Sequence, residues 1–251
     1  FINEKKYKYK IVNWRGKTMD MGLKGKVAWL TGATGAIGRE ITLAFAREGT
    51  KIAVSARNKK QLTSLAKEVN DANGNVLVAE MDVTNQQAVK NCSDQILNHF
   101  GSIDILVTAV AVPAFGPFLE LNKTTFQAAL DVKYHGYINC YQAALPHMLA
   151  QKSGTIVGIT GTAGKQPIDI HLPGGSVNAA LNLVLKGLSN EFGPKGIRIN
   201  AVSPGPIMSE RQKQMIDAGM RNPAKGIPLG RLGEAAEVAD SVVFLSSGRA
   251  S

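Results

Sequence analysis

Cysteine is scarce in this chain of 251 residues: Cys92 and Cys140 are too few for a disulfide framework or a cysteine-built zinc site. They suit a reducing, cytoplasmic setting, and no metal site is expected. Long apolar runs are missing too. None approaches the roughly 18 residues of a membrane span, so no membrane partner is expected. Charged residues reach only 19% against 44% hydrophobic, the balance of an ordinary globule and not of a disordered chain. A chain this long buries roughly 70 to 75% of its unfolded surface, so a core alone can hold it together.

Acidic residues are also in deficit, 19 against 29 Lys and Arg, for a net charge of +10. The imbalance is concentrated. Residues 1–20 carry six basic and two acidic residues, a net +4, interleaved with Tyr7, Tyr9 and Trp14. A nucleic-acid arm is one reading. The preferred one is a frayed or non-native basic leader, because chain termini commonly fray, and no nucleic-acid partner is then expected. The leader lacks the apolar core of a secretory signal, and it is Lys-heavy and Ser-free, unlike a mitochondrial presequence. Met19 or Met21 serves as a natural start in this reading, and residues 21–251 form one domain.

What is present is a regular alternation. Val27 to Leu30 is a short apolar run ending in Thr31-Gly32, as expected of a strand buried on both faces. Ile37, Ile41, Ala44 and Phe45 then draw an apolar stripe down a helix. Strands follow at 51–55, 76–81, 103–108, 154–160 and 197–202. Helices are expected at 59–70, 85–99, 123–150, 176–193 and 234–247. Such alternation predicts an α/β fold, a doubly wound parallel sheet of Rossmann type in one domain, because parallel strands need crossover connections.

The first strand-to-helix turn reads Thr31-Gly32-Ala33-Thr34-Gly35-Ala36-Ile37-Gly38. Glycines here permit a sharp turn, close approach of a pyrophosphate and tight helix packing, and the helix amino end offers unpaired N–H groups. Gly32, Thr34, Gly35, Ala36, Ile37 and Gly38 are therefore candidate dinucleotide contacts. Ala56-Arg57-Asn58 ends the second strand, with Lys59 and Lys60 beyond. A carboxylate there would favour NAD, whereas Arg accommodates the 2′-phosphate of NADP. Arg57 therefore predicts NADP over NAD as cofactor.

From about Leu23 onward the sequence resembles the short-chain dehydrogenases/reductases, most closely their 3-oxoacyl reductase-like branch. The resemblance rests on the glycine turn at 31–38, Asp82-Val83, Asp104-Ile105-Leu106-Val107 and Pro146-His147-Met148. It continues through Gly196-Ile197-Arg198-Ile199-Asn200, Pro204-Gly205-Pro206 and Pro228-Leu229-Gly230-Arg231-Leu232-Gly233. By this resemblance Asp82 and Val83 flank the adenine, Pro204 and Gly205 lie by the nicotinamide, and Ile207 to Ser209 contact its carboxamide or the adjoining phosphate. It also implies a homo-oligomer, dimer or tetramer, paired through helices 123–150 and 176–193. Ala179, Leu183, Leu185, Leu188 and Phe192 form a compatible stripe. Members continue through a final strand, whereas this chain ends Ser246-Ser247-Gly248-Arg249-Ala250-Ser251, so the last strand is expected to be missing.

The family's catalytic set is absent. Members use a Tyr, a Lys four residues later, a Ser, and an Asn on the preceding long helix to protonate the alkoxide that hydride addition builds. Anchored on Thr162-Ala163-Gly164 and Ala179-Ala180-Leu181, Gly161 falls at the Ser position, Gly174 at the Tyr and Asn178 at the Lys. Lys133, three residues before Gly136, falls at the Asn. No tyrosine occurs from 142 onward, so no shift of alignment restores the phenol. His171, whose residue type titrates near neutrality, Thr162 and Asn178 are the candidate catalytic residues. Asn178 is also a candidate for the nicotinamide ribose. Lys133 with Tyr134 and His135 is either a functional cluster or a solvated helix face. Losing the phenol at 174 either leaves a hole for a bulkier substrate or lets a Pro173-Gly-Gly turn close it. The expected function is an NADP-dependent oxidoreductase acting on a small-molecule carbonyl or alcohol with an atypical proton donor. The alternatives are an inactive cofactor-holding relative with a structural or regulatory role, and a lyase or isomerase in the same pocket.

Overall fold

Val27–Thr31 (β1) is buried along its whole length and lies between two parallel neighbours, Lys51–Ala56 (β2) and Ile105–Thr108 (β4). The computed structural model describes residues 20–217 and 223–251, so nearly all of the basic leader lies outside the described residues. Asn75–Glu80 (β3), Gly154–Ile159 (β5) and Ile197–Val202 (β6) complete a parallel sheet in the order β3-β2-β1-β4-β5-β6. Its helices are Ala36–Arg47 (α1), Lys59–Asp71 (α2), Gln86–Phe100 (α3), Lys123–Ala129 (α4), Gly136–Gln151 (α5), Leu172–Phe192 (α6), Glu210–Asp217 (α7) and Ala235–Ser246 (α8).

Alternate residues of each strand face opposite sides, which gives the sheet two cores. Trp29, Leu106 and Ile156 point to one, where Ile96 of α3, Tyr141 of α5 and Leu185 of α6 cover them. Leu30, Val54, Val107 and Val157 point to the other, beneath Phe45 of α1, Leu62 of α2 and Val242 of α8. Burying such side chains stabilises by about 1.5–3 kcal/mol each, so the central strands tolerate little polarity. The Trp29 indole N–H is satisfied by Ser55 Oγ at 3.0 Å.

Three helices start at an asparagine that the hydrophobic pattern alone does not single out. Asn58, Asn85 and Asn122 each accept, through their side chains, the backbone N–H three residues on, opening α2, α3 and α4. Gly101 ends α3 in the left-handed region at φ 86°.

The expected long helical region is not one α-helix. Leu130–His135 between α4 and α5 is a π-helical stretch, which widens the turn that carries Lys133. Helix α6 begins at Leu172, four residues before the expected start. Pro173-Gly174-Gly175 is thus the first helical turn and not a loop. Pro suits that place because its missing N–H is one the first turn would leave unpaired anyway. Helix α7 had no clear apolar period to announce it. The α6 stripe also divides: Leu185 is buried in the core, while Leu183 is 75% exposed.

Candidate active site

The strand order reverses between β1 and β4, and in such sheets ligands sit in the crevice beyond the carboxyl ends of the strands. The glycine turn lines this crevice. Gly32 adopts φ +69°, and a Cβ there would lie 2.7 Å from the Ala109 carbonyl oxygen after β4. A Cβ on Gly38 would lie 2.2 Å from the Gly32 oxygen, so no side chain fits between the turn and α1. Helix α1 starts after Gly35, which supplies no side-chain cap, and has no acidic residue in its first turn. Its amino end is therefore open to an anion. The buried Thr31 hydroxyl at the end of β1 has no hydrogen-bond partner among the described residues.

Arg57 stands exposed just beyond β2 and forms no ion pair among the described residues. Asp82 is folded into its own turn: its Oδ1 accepts from the Thr84 N–H at 2.9 Å and the Thr84 hydroxyl at 2.8 Å. Val83 is buried against Gly136, and its carbonyl accepts from Asn139 Nδ2 at 2.9 Å. Across the crevice, the Pro204 carbonyl accepts from the Thr162 N–H at 3.0 Å, which ties the loop after β5 to the loop after β6. Ile207 pairs with Gly233, where Met208 N–H donates to the Gly233 carbonyl at 2.7 Å. Glycines that admit no Cβ, an uncapped helix and an unpaired arginine make a cradle that a dinucleotide phosphate chain fits.

Beyond β5 and in the first turn of α6, Gly161 and Gly174 leave no empty space. His171 sits at the start of α6, and its ring overlies Gly174: a Cβ on Gly174 would meet the ring at 2.1 Å. The imidazole is held by Nδ1 3.1 Å from the Ala114 carbonyl and by stacking on Phe115 at 4.2 Å between centroids. Neither a hole nor a closing turn results; the histidine takes the space itself. Asn178 does the same for Gly161, with Nδ2 2.8 Å from where a Cβ would be. Asn178 is 4% exposed, and its Oδ1 has no hydrogen-bond partner among the described residues. Thr162 contributes backbone contacts that hold the loop together.

Lys133 is drawn inward from the π-helical stretch. Its Nζ donates to the Thr160 carbonyl at the end of β5, 3.2 Å away, and lies 6.0 Å from the centre of the Tyr137 ring. Tyr137 in turn donates toward the Ile159 and Val110 carbonyls, at 2.9 and 3.2 Å, so it is anchored in the wall. Burial draws the Lys133 ammonium from its ordinary pKa of 10.5 down to about 8. Burial also lowers the His171 pKa, the Ala114 carbonyl opposes this, and the Lys133 charge lowers it further. Burial thus favours the neutral ring, and because a carbonyl can only accept, the hydrogen bond to Ala114 is made by an Nδ1–H. Of the Lys133-Tyr134-His135 cluster, Lys133 belongs to the crevice while His135 is exposed. Its place three residues before Gly136 was the available signal. Nothing in the sequence pointed to Phe115 beneath the imidazole.

A family model described as enoyl-(acyl carrier protein) reductase matches residues 32–251. The chain belongs to this family of short-chain dehydrogenases/reductases, with 3-oxoacyl reductases among its relatives. It is 30% identical over 236 residues to 3-oxoacyl-(acyl-carrier-protein) reductase of Thermotoga maritima, covering 92% of this chain and 94% of that one. It is 31% identical over 233 residues to peroxisomal 2,4-dienoyl-CoA reductase of Pongo abelii, covering 91% and 80%. Among solved structures, L-sorbose reductase from Gluconobacter frateurii, complexed with NADPH and L-sorbose, superposes with a TM-score of 0.84 at 28% identity, covering 92% and 93%. NAD+-bound xylitol dehydrogenase gives 0.85 at 26%, covering 90% and 93%. Among the described residues no helix is long and apolar enough to cross a membrane.

Proposed function

We propose that this protein is an NADP-dependent reductase of a small-molecule carbonyl compound in which proton delivery does not depend on a tyrosine. The observation that carries the reading is an intact dinucleotide cradle beside a reaction centre whose missing side chains have been replaced in space. His171 fills the place over Gly174 and Asn178 the place over Gly161, so the pocket is rebuilt and not merely emptied. The relatives named as reductases of 3-oxoacyl, dienoyl-CoA and sorbose substrates favour reduction as the direction.

In this reading the N–H groups of Gly32 to Gly38 hold the pyrophosphate, and Arg57 holds the 2′-phosphate. Asp82 and Val83 border the adenine; Pro204, Gly205 and Ile207 border the nicotinamide. Asn178 accepts from the ribose. When bound, the reduced nicotinamide supplies hydride to the substrate carbon. The chain's own task is to receive the charge that gathers on the substrate oxygen and to provide a proton there. Thr162 and His171 line that space, His171 as a neutral ring that accepts and orients at Nε2. The exposed Leu183 face of α6 favours a homodimer or a larger homo-oligomer, and the chemistry suits a cytoplasmic enzyme.

A cofactor-holding but inactive subunit is the competing reading, favoured by the neutral imidazole where the family keeps a phenol. NADP binding measured by calorimetry, beside NADPH oxidation over a panel of ketones, quinones and acyl thioesters, separates the two. Tight NADP binding with turnover of at least one carbonyl is expected. Binding without turnover across the panel would favour the inactive subunit, and absence of binding would remove both.

A further inference from the structure

We propose that Lys133 is a catalytic residue, the group that hands a proton to the substrate oxygen in place of the missing tyrosine. The proposal rests on the reductase reading above and names the donor that reading leaves open. It starts from placement. Lys133 projects from a π-helical stretch to the carboxyl end of β5, where its Nζ donates to Thr160 at 3.2 Å beside Gly161. An ammonium has three N–H bonds. Thr160 takes one, and no other acceptor is found among the described residues. Two donors are thus left within the crevice.

The surroundings offer no counter-charge. Tyr137 from α5 presents its ring face, Thr160 from β5 its carbonyl, and His171 from the start of α6 a ring whose cationic form Lys133 opposes. No carboxylate pairs with Lys133 among the described residues. An ammonium in such a site gives up its proton readily, and its pKa of about 8 leaves it charged at pH 7 yet close to release. The other candidates lack this combination. The imidazole keeps its one proton on Nδ1 toward Ala114. The Asn178 amide and the Thr162 hydroxyl are not acids near neutral pH.

The step balances with NADPH as reductant. Hydride forms the new C–H bond, the carbonyl π pair moves to oxygen, and a Lys133 N–H bond breaks as its proton joins that oxygen. An alcohol, NADP and a neutral amine remain, and water returns the proton to the amine. Lys133 therefore has to lose its charge once per turnover, which a guanidinium at that position would not do.

Two measurements on the full chain test this. In protein labelled at the lysine ε-carbon, one resonance should titrate near pH 8 and be absent from Lys133→Met. With NADPH and the carbonyl panel, Lys133→Met should lose about 10²–10⁴-fold in kcat. NADP affinity should stay within about threefold, since no cofactor contact is removed. Lys133→Arg should not restore the rate, and wild-type kcat for reduction should fall above pH 8. A Lys133 resonance titrating above pH 10, or wild-type turnover that survives in Lys133→Met, would overturn the donor role alone. Wild-type inactivity over the whole panel would overturn the reductase reading, and the donor role with it.

Discussion

The imidazole of His171 stands where a side chain at Gly174 would begin, its Cε1 2.1 Å and its Nε2 2.2 Å from the place of a Cβ. The two positions are three residues apart at the first turn of α6, so the ring folds back over its own helix. Ala114 and Phe115 hold it there.

The pair should therefore be coupled. Gly174→Ala alone forces the ring off Ala114 and Phe115 and is expected to cost about 1–3 kcal/mol, as overpacking does. In a His171→Ala background the same change should cost little. A double-mutant cycle by urea unfolding reads the difference, and additive effects would show that the ring moves aside freely. For the same reason Gly174→Tyr should not by itself rebuild the family's phenol.

The lowered pKa of Lys133 has a consequence for stability. The folded chain holds the proton less tightly than the unfolded chain, so between about pH 8 and about 10.4 the unfolded state binds more protons. Stability contributed by this group thus rises with pH across that window, and the cost of burying the charge is fully present below it. Lys133→Met should melt about 2–4 °C above wild type at pH 7, as a gain of about 1 kcal/mol does for a chain this long. The gap should close toward pH 10.5. Scanning calorimetry at three pH values checks the sign, and a gap that widens with pH would contradict it.

Arg57 is exposed beyond β2 and forms no ion pair among the described residues. Arg57→Ala should weaken NADP binding by about 10- to 100-fold, as loss of a charge-assisted phosphate contact of roughly 1.5–3 kcal/mol does, and leave NAD binding nearly unchanged. Titration calorimetry with both nucleotides gives the answer directly. Equal losses for the two would place the 2′-phosphate away from Arg57.

Cys92 and Cys140 are both buried, and burial pushes the Cys92 thiol up to about 12 and the Cys140 thiol higher still. The native protein should react with a thiol reagent at pH 8 at well under a hundredth of the rate of free cysteine, since only the thiolate attacks. Unfolding in guanidinium should release both groups. A fast native phase of one equivalent would show one thiol reaching solvent.

The sheet was readable from the sequence because strands such as Val27–Thr31 and Ile105–Thr108 are buried on both faces and so carry apolar runs up to Leu30 and Val107. The cradle was readable because its requirement, absence of a Cβ, is written as glycine at 32 and 38. The start of α6 was not. Pro173-Gly174-Gly175 has the local chemistry of a turn, yet it forms the first turn of α6, with the His171 ring and the Ala163 carbonyl in the room a side chain would need. What fills Gly161 and Gly174 depends on which neighbour folds back onto them, a relation that crosses elements. The inward path of Lys133 depends likewise on the π-helical stretch, and no periodicity of apolar residues reveals that stretch.

A π-turn holds one residue more than the α-helix around it. Excising a single residue between Leu130 and His135 would let ordinary winding run from Lys123 to Gln151, and the helices on either side would keep nearly the facing they have now. Only the turn that carries the lysine would tighten, so its ammonium would lose its present reach to Thr160, although every other residue of the chain kept its chemistry.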